Sequence, residues 1–123
     1  MEKVEFAELL RDRTKAFALR VIKLYQNLPK NEEARIIGKQ LLRSSTSITA
    51  NYRASCRARS NAEYYAKICI VVEEADESLF WIEILSEANI MSENKLASLK
   101  KEFTELLAIF SKTKSTLKPK IKS

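Results

Sequence analysis

Hydrophobic residues recur along this chain at alternating spacings of three and four positions, in four separate segments. Such spacing places apolar side chains on one face of an α-helix. The segments cover about residues 5–27, 32–57, 61–87 and 92–111. The stretches between them are only a few residues long, so consecutive helices must run antiparallel. The pattern predicts an all-α, up-down-up-down four-helix bundle over residues 1–111.

Residues that start or stop helices separate the segments at the expected places. Pro29 ends the first helix, because the residue before a proline avoids the helical conformation. Asn31 is placed to cap the second helix, and Ser60 and Glu63 form a capping box for the third. The run from Ser44 to Thr49 is poor helix material. The apolar period stays in phase across it, so we predict one continuous second helix.

The third helix has a second apolar side besides its core-facing side. This side consists of Ile70, Trp81, Ile84 and Ala88. A bundle helix needs only one buried stripe, so these residues predict a surface covered by another copy of the chain. The alternative is a wide core contact against the fourth helix.

Composition then excludes several kinds of chemistry. The chain of 123 residues has no histidine, one glycine and two prolines, with 46% hydrophobic residues. Without histidine there is no histidine metal ligand, no histidine general base and no Ser-His-Asp triad. Cys56 and Cys69 form neither a disulfide framework nor a zinc pattern. No signal peptide or membrane-length apolar run is evident, so we expect a cytoplasmic protein without a membrane partner.

A carboxylate cluster in the third helix is the remaining candidate for chemistry. It consists of Glu73, Glu74, Asp76 and Glu77. Bundles that hold two metal ions use Glu-x-x-His pairs, which this chain cannot supply. The cluster is therefore interpreted as a solvated or ion-paired face. We expect no catalytic residue, no cofactor and no bound metal, and hence a protein that is not an enzyme.

Charge is distributed unevenly along the chain, whose net charge is +6. Residues 31–59 hold six bases and two acids, whereas residues 60–91 hold one base and seven acids. In the second helix, five bases fall within an arc of about 80° on the side away from the core. They are Arg35, Lys39, Arg43, Arg53 and Arg57. This basic stripe predicts contact with a phosphate backbone. The alternatives are a solvated face, or pairing with acids of the third helix or of another subunit.

The last twelve residues, 112–123, hold five lysines and no acid. Their apolar period is lost, which predicts a flexible basic tail. The tail either adds an electrostatic arm or simply keeps the protein in solution. No aromatic residue interleaves with the basic stripe, so stacking on unpaired bases is not predicted.

Several stretches resemble one bacterial protein family. They are Gln40–Arg53, Arg59–Ser60, Glu63–Lys67, Arg13–Ala18 and the helix end at Leu28–Pro29. The family comprises small four-helix-bundle proteins encoded in intervening sequences of large-subunit (23S) ribosomal RNA genes, often labelled ribosomal-protein-like. Its Arg-Ser-x-x-Ser-Ile-x-x-Asn core falls on Arg43, Ser44, Ser47, Ile48 and Asn51.

The resemblance implies a homo-oligomeric ring, often of five subunits, that binds RNA or DNA. A related bundle, the accessory protein of diversity-generating retroelements, binds a reverse transcriptase and nucleic acid. The family supplies no catalytic residues. Together, pattern, charge and resemblance predict a non-enzymatic oligomer that binds nucleic acid, with structured RNA favoured. The alternative is a scaffold that docks a protein partner, such as a reverse transcriptase, on the ring.

Overall fold

Four helices make up the fold in the computed structural model, which describes residues 3–122 and the side chains of residues 3–118. The helices are α1 (Lys3–Gln26), α2 (Glu32–Ser55), α3 (Asn61–Glu87) and α4 (Glu93–Lys122). Over this described range the chain contains no strand. The first three helices begin and end within two residues of the predicted bounds.

The helices run antiparallel because their connections are too short for any other arrangement. Each connection has five residues and spans at most about 18 Å, whereas a 24-residue helix is about 36 Å long. α3 packs closely against α2 and α4, and α1 packs against α2 and, more loosely, α4. The predicted up-down-up-down four-helix bundle is therefore confirmed.

The core is a single column of apolar side chains from all four helices. Its largest fully buried members are Phe17, Leu41, Ile48, Ile68, Ile82, Leu85, Leu96, Phe103, Leu106 and Phe110. Phe17 and Phe103 meet edge to face between α1 and α4.

α2 remains one helix through its Ser/Thr run, as predicted. The hydroxyls of Ser44 and Thr46 donate to carbonyls one turn earlier, at 3.2 and 2.8 Å. This bonding lets hydroxyl side chains sit inside a helix without an unpaired polar atom. Ser44 also accepts a hydrogen bond from Ser78 of α3 at 2.8 Å, and both residues are fully buried. The small side chains let α2 and α3 approach closely.

Gly38 has the same effect on the side of α2 that faces α1. A Cβ atom at this position would lie 2.6 Å from Leu28 Cδ1 and 2.9 Å from Tyr25 Cδ1. Both distances are shorter than van der Waals contact, so α1 packs where a side chain would otherwise be. The single glycine of the chain therefore serves helix packing rather than a turn.

An arginine joins α1 to α4. Arg13 Nε and Nη2 each donate to the Glu102 carboxylate at 2.7 Å, and Nη2 also donates to Glu105 at 2.6 Å. The Arg13 hydrogen bonds lower the pKa of Glu102. Glu102 is the most enclosed member of this group, with 18% of its side chain exposed. Two hydrogen bonds from one guanidinium to both oxygens of one carboxylate are the strongest geometry of an arginine–carboxylate ion pair.

The two predicted N-caps are found, but the capping box of α3 is only half formed, because the Glu63 carboxylate accepts from the Arg59 N–H at 3.3 Å rather than from the Ser60 N–H. Asn31 Oδ1 accepts from the Ala34 N–H at 2.9 Å, and Ser60 Oγ accepts from the Glu63 N–H at 3.0 Å. After α3, Asn89 adopts a positive φ of 58°. The Ile90 N–H then donates back to the Leu85 carbonyl at 3.0 Å, which closes the helix end.

The predicted flexible tail at residues 112–123 is corrected by the structure, because α4 continues to Lys122. Leu117 repeats the apolar spacing seven residues after Phe110 and is only 7% exposed. The Thr113 and Thr116 hydroxyls donate to carbonyls one turn earlier, at 3.0 Å each. Leu117 alone thus continues the apolar spacing of α4 in a stretch whose sequence is dominated by lysines. The side chains of Lys120 and Lys122, and all of Ser123, lie outside the described residues.

None of the helices within residues 3–122 has the length and apolar character that a membrane crossing requires.

Replacing the buried Ser44–Ser78 hydroxyl pair is expected to give strongly non-additive changes in stability. Ser44→Ala leaves the Ser78 hydroxyl without its partner, so we expect a loss of about 1–2 kcal/mol in the free energy of unfolding. The Ser44→Ala/Ser78→Ala double variant removes both groups and is expected to lose less than the sum of the single variants. Urea unfolding measures all three. Thr104→Ala on the exposed side of α4 is the control, and additive effects would contradict the pairing.

The Arg13–Glu102 ion pair is expected to make stability depend on pH. Because the pKa of Glu102 is lowered in the folded protein, its contribution is complete above the ordinary carboxyl range and declines as the pH falls below about 4.5. We expect Glu102→Gln to cost about 1 kcal/mol at pH 7, since the pair is partly exposed. The difference from the unsubstituted protein is expected to shrink at pH 3.

Thermal unfolding across pH 3–7 measures this difference. Glu73→Gln is the matched control, because Glu73 is exposed and forms no ion pair with any residue the structure describes. A pH-independent effect of Glu102→Gln would refute the assigned role.

Candidate nucleic-acid interface

The basic stripe lies on the outer side of α2, opposite the residues that α2 buries. All five of its members are exposed: Arg35, Lys39, Arg43, Arg53 and Arg57. Arg57 lies just beyond the helix, because α2 ends at Ser55 and Cys56 is its C-cap. The Arg57 N–H donates to the Ala54 carbonyl at 3.0 Å, so the turn keeps Arg57 close to the line of the helix.

Arg43 is the one stripe member that pairs with acids of α3. Its guanidinium donates to Glu74 at 3.0 Å and to Glu77. Glu77 Oε2 also accepts from the Trp81 indole N–H at 3.0 Å. The indole bond, followed by the Arg43 bond, lowers the pKa of Glu77. The hydrogen bond to Glu77 likewise raises the pKa of Arg43. Arg43 therefore follows the alternative given for the basic stripe, in which a basic side chain pairs with acids of the third helix.

The rest of the stripe carries uncompensated charge. Within the part of the chain whose side chains the structure describes, four members form no ion pair: Arg35, Lys39, Arg53 and Arg57. Their charge therefore faces solvent. These four bases are the ones available to a ligand.

Two further bases, from α1, join the stripe at the C-terminal end of α2. Arg11 and Lys15 line an open groove of about 500 Å³ together with Arg53 and Arg57. The rest of the lining is Asp12, Thr49 and Cys56. We call these seven residues the α1–α2 groove. Four of its seven lining residues are basic and one is acidic, so the groove is strongly electropositive.

Arg11 of α1 and Cys56 at the end of α2 line the same groove, and the nearby Cys56 side chain raises the pKa of Arg11. Beneath this point, the Thr14 hydroxyl donates to the Thr49 hydroxyl at 3.2 Å. The two helices are therefore in direct contact at the groove floor, and the bases stand along its two edges.

Sequence reasoning missed Arg11 and Lys15 because it took the charge of each helix separately. The available signal was their spacing of four, which places two bases one turn apart on the same side of α1. Which helix that side faces depends on packing, and the charge pattern alone does not show it.

The antiparallel arrangement gathers more positive charge at this end of the bundle. The start of α1 and the ends of α2 and α4 meet here, together with the start of α3. Lys3, Arg11 and Arg59 line a second open groove beside the first. Lys3 and Lys112 border a third, apolar groove between α1 and α4. The acids of residues 73–87 lie towards the other end of α3.

The Arg-Ser-x-x-Ser-Ile-x-x-Asn motif is mainly concerned with packing. Ser44 and Ile48 are fully buried. Asn51 Nδ2 donates within its own helix, to the carbonyl and hydroxyl oxygens of Ser47 at 3.0 and 2.9 Å. Arg43 forms the ion pairs described above. The motif therefore shapes and fixes α2, and the bases available to a ligand lie outside it.

The predicted oligomer interface is only partly exposed. Ile70 is 36% exposed and Ala88 is exposed at the C-cap of α3, whereas Trp81 and Ile84 are half-buried. Phe80 was not predicted, yet it is 49% exposed and its ring lies 4.9 Å from the Trp81 ring, centre to centre. A phenylalanine so exposed is the strongest sign of an apolar contact on this face of α3.

No group of three or more Cys, Asp or Glu side chains among the described residues is arranged to hold a metal ion.

Comparison with known proteins identifies the family. Residues 10–112 match the family model described as 23S rRNA-intervening sequence protein. A crystal structure of a protein with unknown function from the S23 ribosomal protein family of Bacteroides thetaiotaomicron superimposes with a TM-score of 0.81. It is 30% identical, and the match covers 91% of this chain and 97% of that one. No match was found among curated proteins. Because the family match spans most of the bundle and the fold agrees, this chain belongs to the 23S rRNA-intervening sequence protein family.

Proposed function

We propose that this protein is a non-enzymatic, cytoplasmic homo-oligomer that binds nucleic acid, with structured RNA as its preferred ligand. The observation that carries the proposal is the set of uncompensated bases on α2, which continues into the α1–α2 groove. The family is named for intervening sequences of 23S rRNA, which makes a structured RNA the first ligand to test.

Physical chemistry supports a phosphate ligand for this surface. Guanidinium groups donate paired hydrogen bonds to phosphate oxygens, and each neutralised phosphate releases condensed counterions. Affinity then falls steeply as salt concentration rises. The groove lining contains no aromatic residue, so the binding energy comes from the backbone rather than from stacked bases.

A second candidate function is a scaffold for a protein partner. Its support is the pairing of Arg43 with Glu74 and Glu77, which shows that bases of α2 and acids of α3 are complementary. Further α3 acids, Glu73 and Asp76, are exposed. On this account the remaining bases of one copy contact acids of a neighbouring copy or of another protein.

The proposed self-association rests on the exposed apolar face of α3. A second copy of the chain is the occupant we propose, in a ring that the family resemblance suggests has five subunits. Phe80 is the best position to test this. Trp81 is half-buried and bonded to Glu77, so its replacement would disturb folding and assembly together.

Charge reversal at the C-terminal end of α2 is expected to weaken RNA binding. Arg53→Glu/Arg57→Glu removes two phosphate contacts, so we expect at least a tenfold loss of affinity for a structured RNA. The slope of log K against log salt is expected to fall by about two, near 0.9 per phosphate. Titrations at 50 and 150 mM salt against a hairpin RNA and a duplex DNA measure both quantities.

Lys23→Glu/Lys100→Glu is the matched control, since it makes the same charge change towards the other end of the bundle. Circular dichroism and light scattering confirm that each variant is folded and assembled. Equal loss in both variants would indicate only a net-charge effect. Loss of assembly in Arg53→Glu/Arg57→Glu, with no RNA binding by the unsubstituted protein, would favour the scaffold.

Phe80→Glu is expected to convert the oligomer to monomers without unfolding it. The ring of Phe80 is half exposed in a single chain, so a charge there is tolerated by the fold but not within an apolar interface. Size-exclusion chromatography with light scattering measures the mass. Leu19→Glu is the control, because Leu19 is 55% exposed on α1. An unchanged mass for Phe80→Glu would refute this interface.

A further inference from the structure

The α1–α2 groove brings together basic side chains from two helices, whereas the basic stripe belongs to α2 and the turn after it. Arg11 and Lys15 line it from α1, and Arg53 and Arg57 line it from α2. Arg11 and Lys15 lie one turn, or about 6 Å, apart along α1. Arg53 lies in the last turn of α2, and Arg57 follows in the turn just beyond the helix. Each edge of the groove therefore presents two successive cationic groups.

The width of the groove limits what it can accept. Packed helices have axes about 8–10 Å apart, and the Thr14–Thr49 hydroxyl contact of 3.2 Å shows that α1 and α2 are in contact here. A space between side chains of two such helices admits one strand of sugar-phosphate backbone. It does not admit the full width of a duplex, which would have to present one of its phosphate rows to the groove.

Asp12 is the single acidic residue of the groove. It is exposed, and it forms no ion pair with any side chain that the structure describes. An anion in the groove would therefore be repelled by Asp12 while it is attracted by the four bases. The effect of Asp12 on the affinity for an anion therefore distinguishes binding in this groove from binding to a diffuse positive surface.

We propose that the α1–α2 groove clamps a single row of backbone phosphates, with Arg11 and Lys15 on one side and Arg53 and Arg57 on the other. The assignment rests on the proposed nucleic-acid binding and adds α1 to the interface. Recognition is independent of base sequence, because the four basic side chains contact phosphates, which are the same in every nucleotide. Asp12 limits the affinity, which keeps the contact reversible.

The test uses two variants with opposite expected effects on RNA affinity. Arg11→Ala/Lys15→Ala is expected to weaken binding of a hairpin RNA at least fivefold and to lower the salt slope by about two. Asp12→Asn is expected to tighten binding about threefold at low salt, because it removes one negative charge next to the phosphates. Two hairpins of different sequence are expected to give the same affinities.

Matched controls separate this groove from general charge effects. Lys23→Ala/Lys100→Ala makes the same charge change outside the groove, and Asp76→Asn makes the same change on α3. Both controls are expected to leave affinity within about twofold. A loss of affinity in Lys23→Ala/Lys100→Ala equal to that in Arg11→Ala/Lys15→Ala would overturn the assignment, because it would indicate only a net-charge effect.

The outcomes distinguish this inference from the broader proposal. If the unsubstituted protein binds RNA but Arg11→Ala/Lys15→Ala and Asp12→Asn match their controls, the clamp is refuted and RNA binding through α2 stands. If the unsubstituted protein does not bind RNA at either salt concentration, the nucleic-acid function itself is refuted.

Discussion

The close approach of α2 to both its neighbours is the constraint on which the rest of the structure depends. Gly38 leaves room for Tyr25 of α1 and for Leu28 just after it, and the Ser44–Ser78 hydroxyl pair lets α3 approach on the other side. Larger side chains at these positions would force the helices apart and break buried hydrogen bonds. Because the contacts involve specific small residues, they also fix the register of α2 against α1 and α3. The register then decides which charged groups meet.

Charge pairing follows directly from that register. Opposite Ser78, Arg43 reaches Glu74 and Glu77, and its charge is largely used within the subunit. About three to four turns beyond Arg43, Arg53 and Arg57 lie opposite basic side chains of α1 instead of acids of α3. The same helix thus contributes a structural ion pair at its middle and an uncompensated positive groove at its end. Because basic side chains of two helices face one another across it, such a groove attracts anions.

Much of the fold was predictable because periodicity and capping are local properties of the sequence. The four apolar segments form helices, and the N-caps at Asn31 and Ser60 are found as predicted. The extension of α4 was missed because it depends on one leucine among lysines. The candidate site was predicted less completely, since pairing between helices is not a local property. Neither the capture of Arg43 by α3 nor the contribution of Arg11 from α1 can be derived from one helix at a time.

The positions of the two proposed surfaces make them compatible with each other. In the bundle α3 contacts α2 and α4, and it lies diagonally across from α1. A second copy docked on Phe80 would therefore leave open the α1–α2 groove of the subunit that carries that Phe80. Each added subunit would contribute another groove, and several weak phosphate contacts on one RNA reinforce one another through effective concentration. Asp12 lowers the affinity of each single groove for phosphate, which fits this arrangement. In a multivalent assembly the total affinity comes from the number of grooves on one RNA, and binding stays reversible because each single contact is weak.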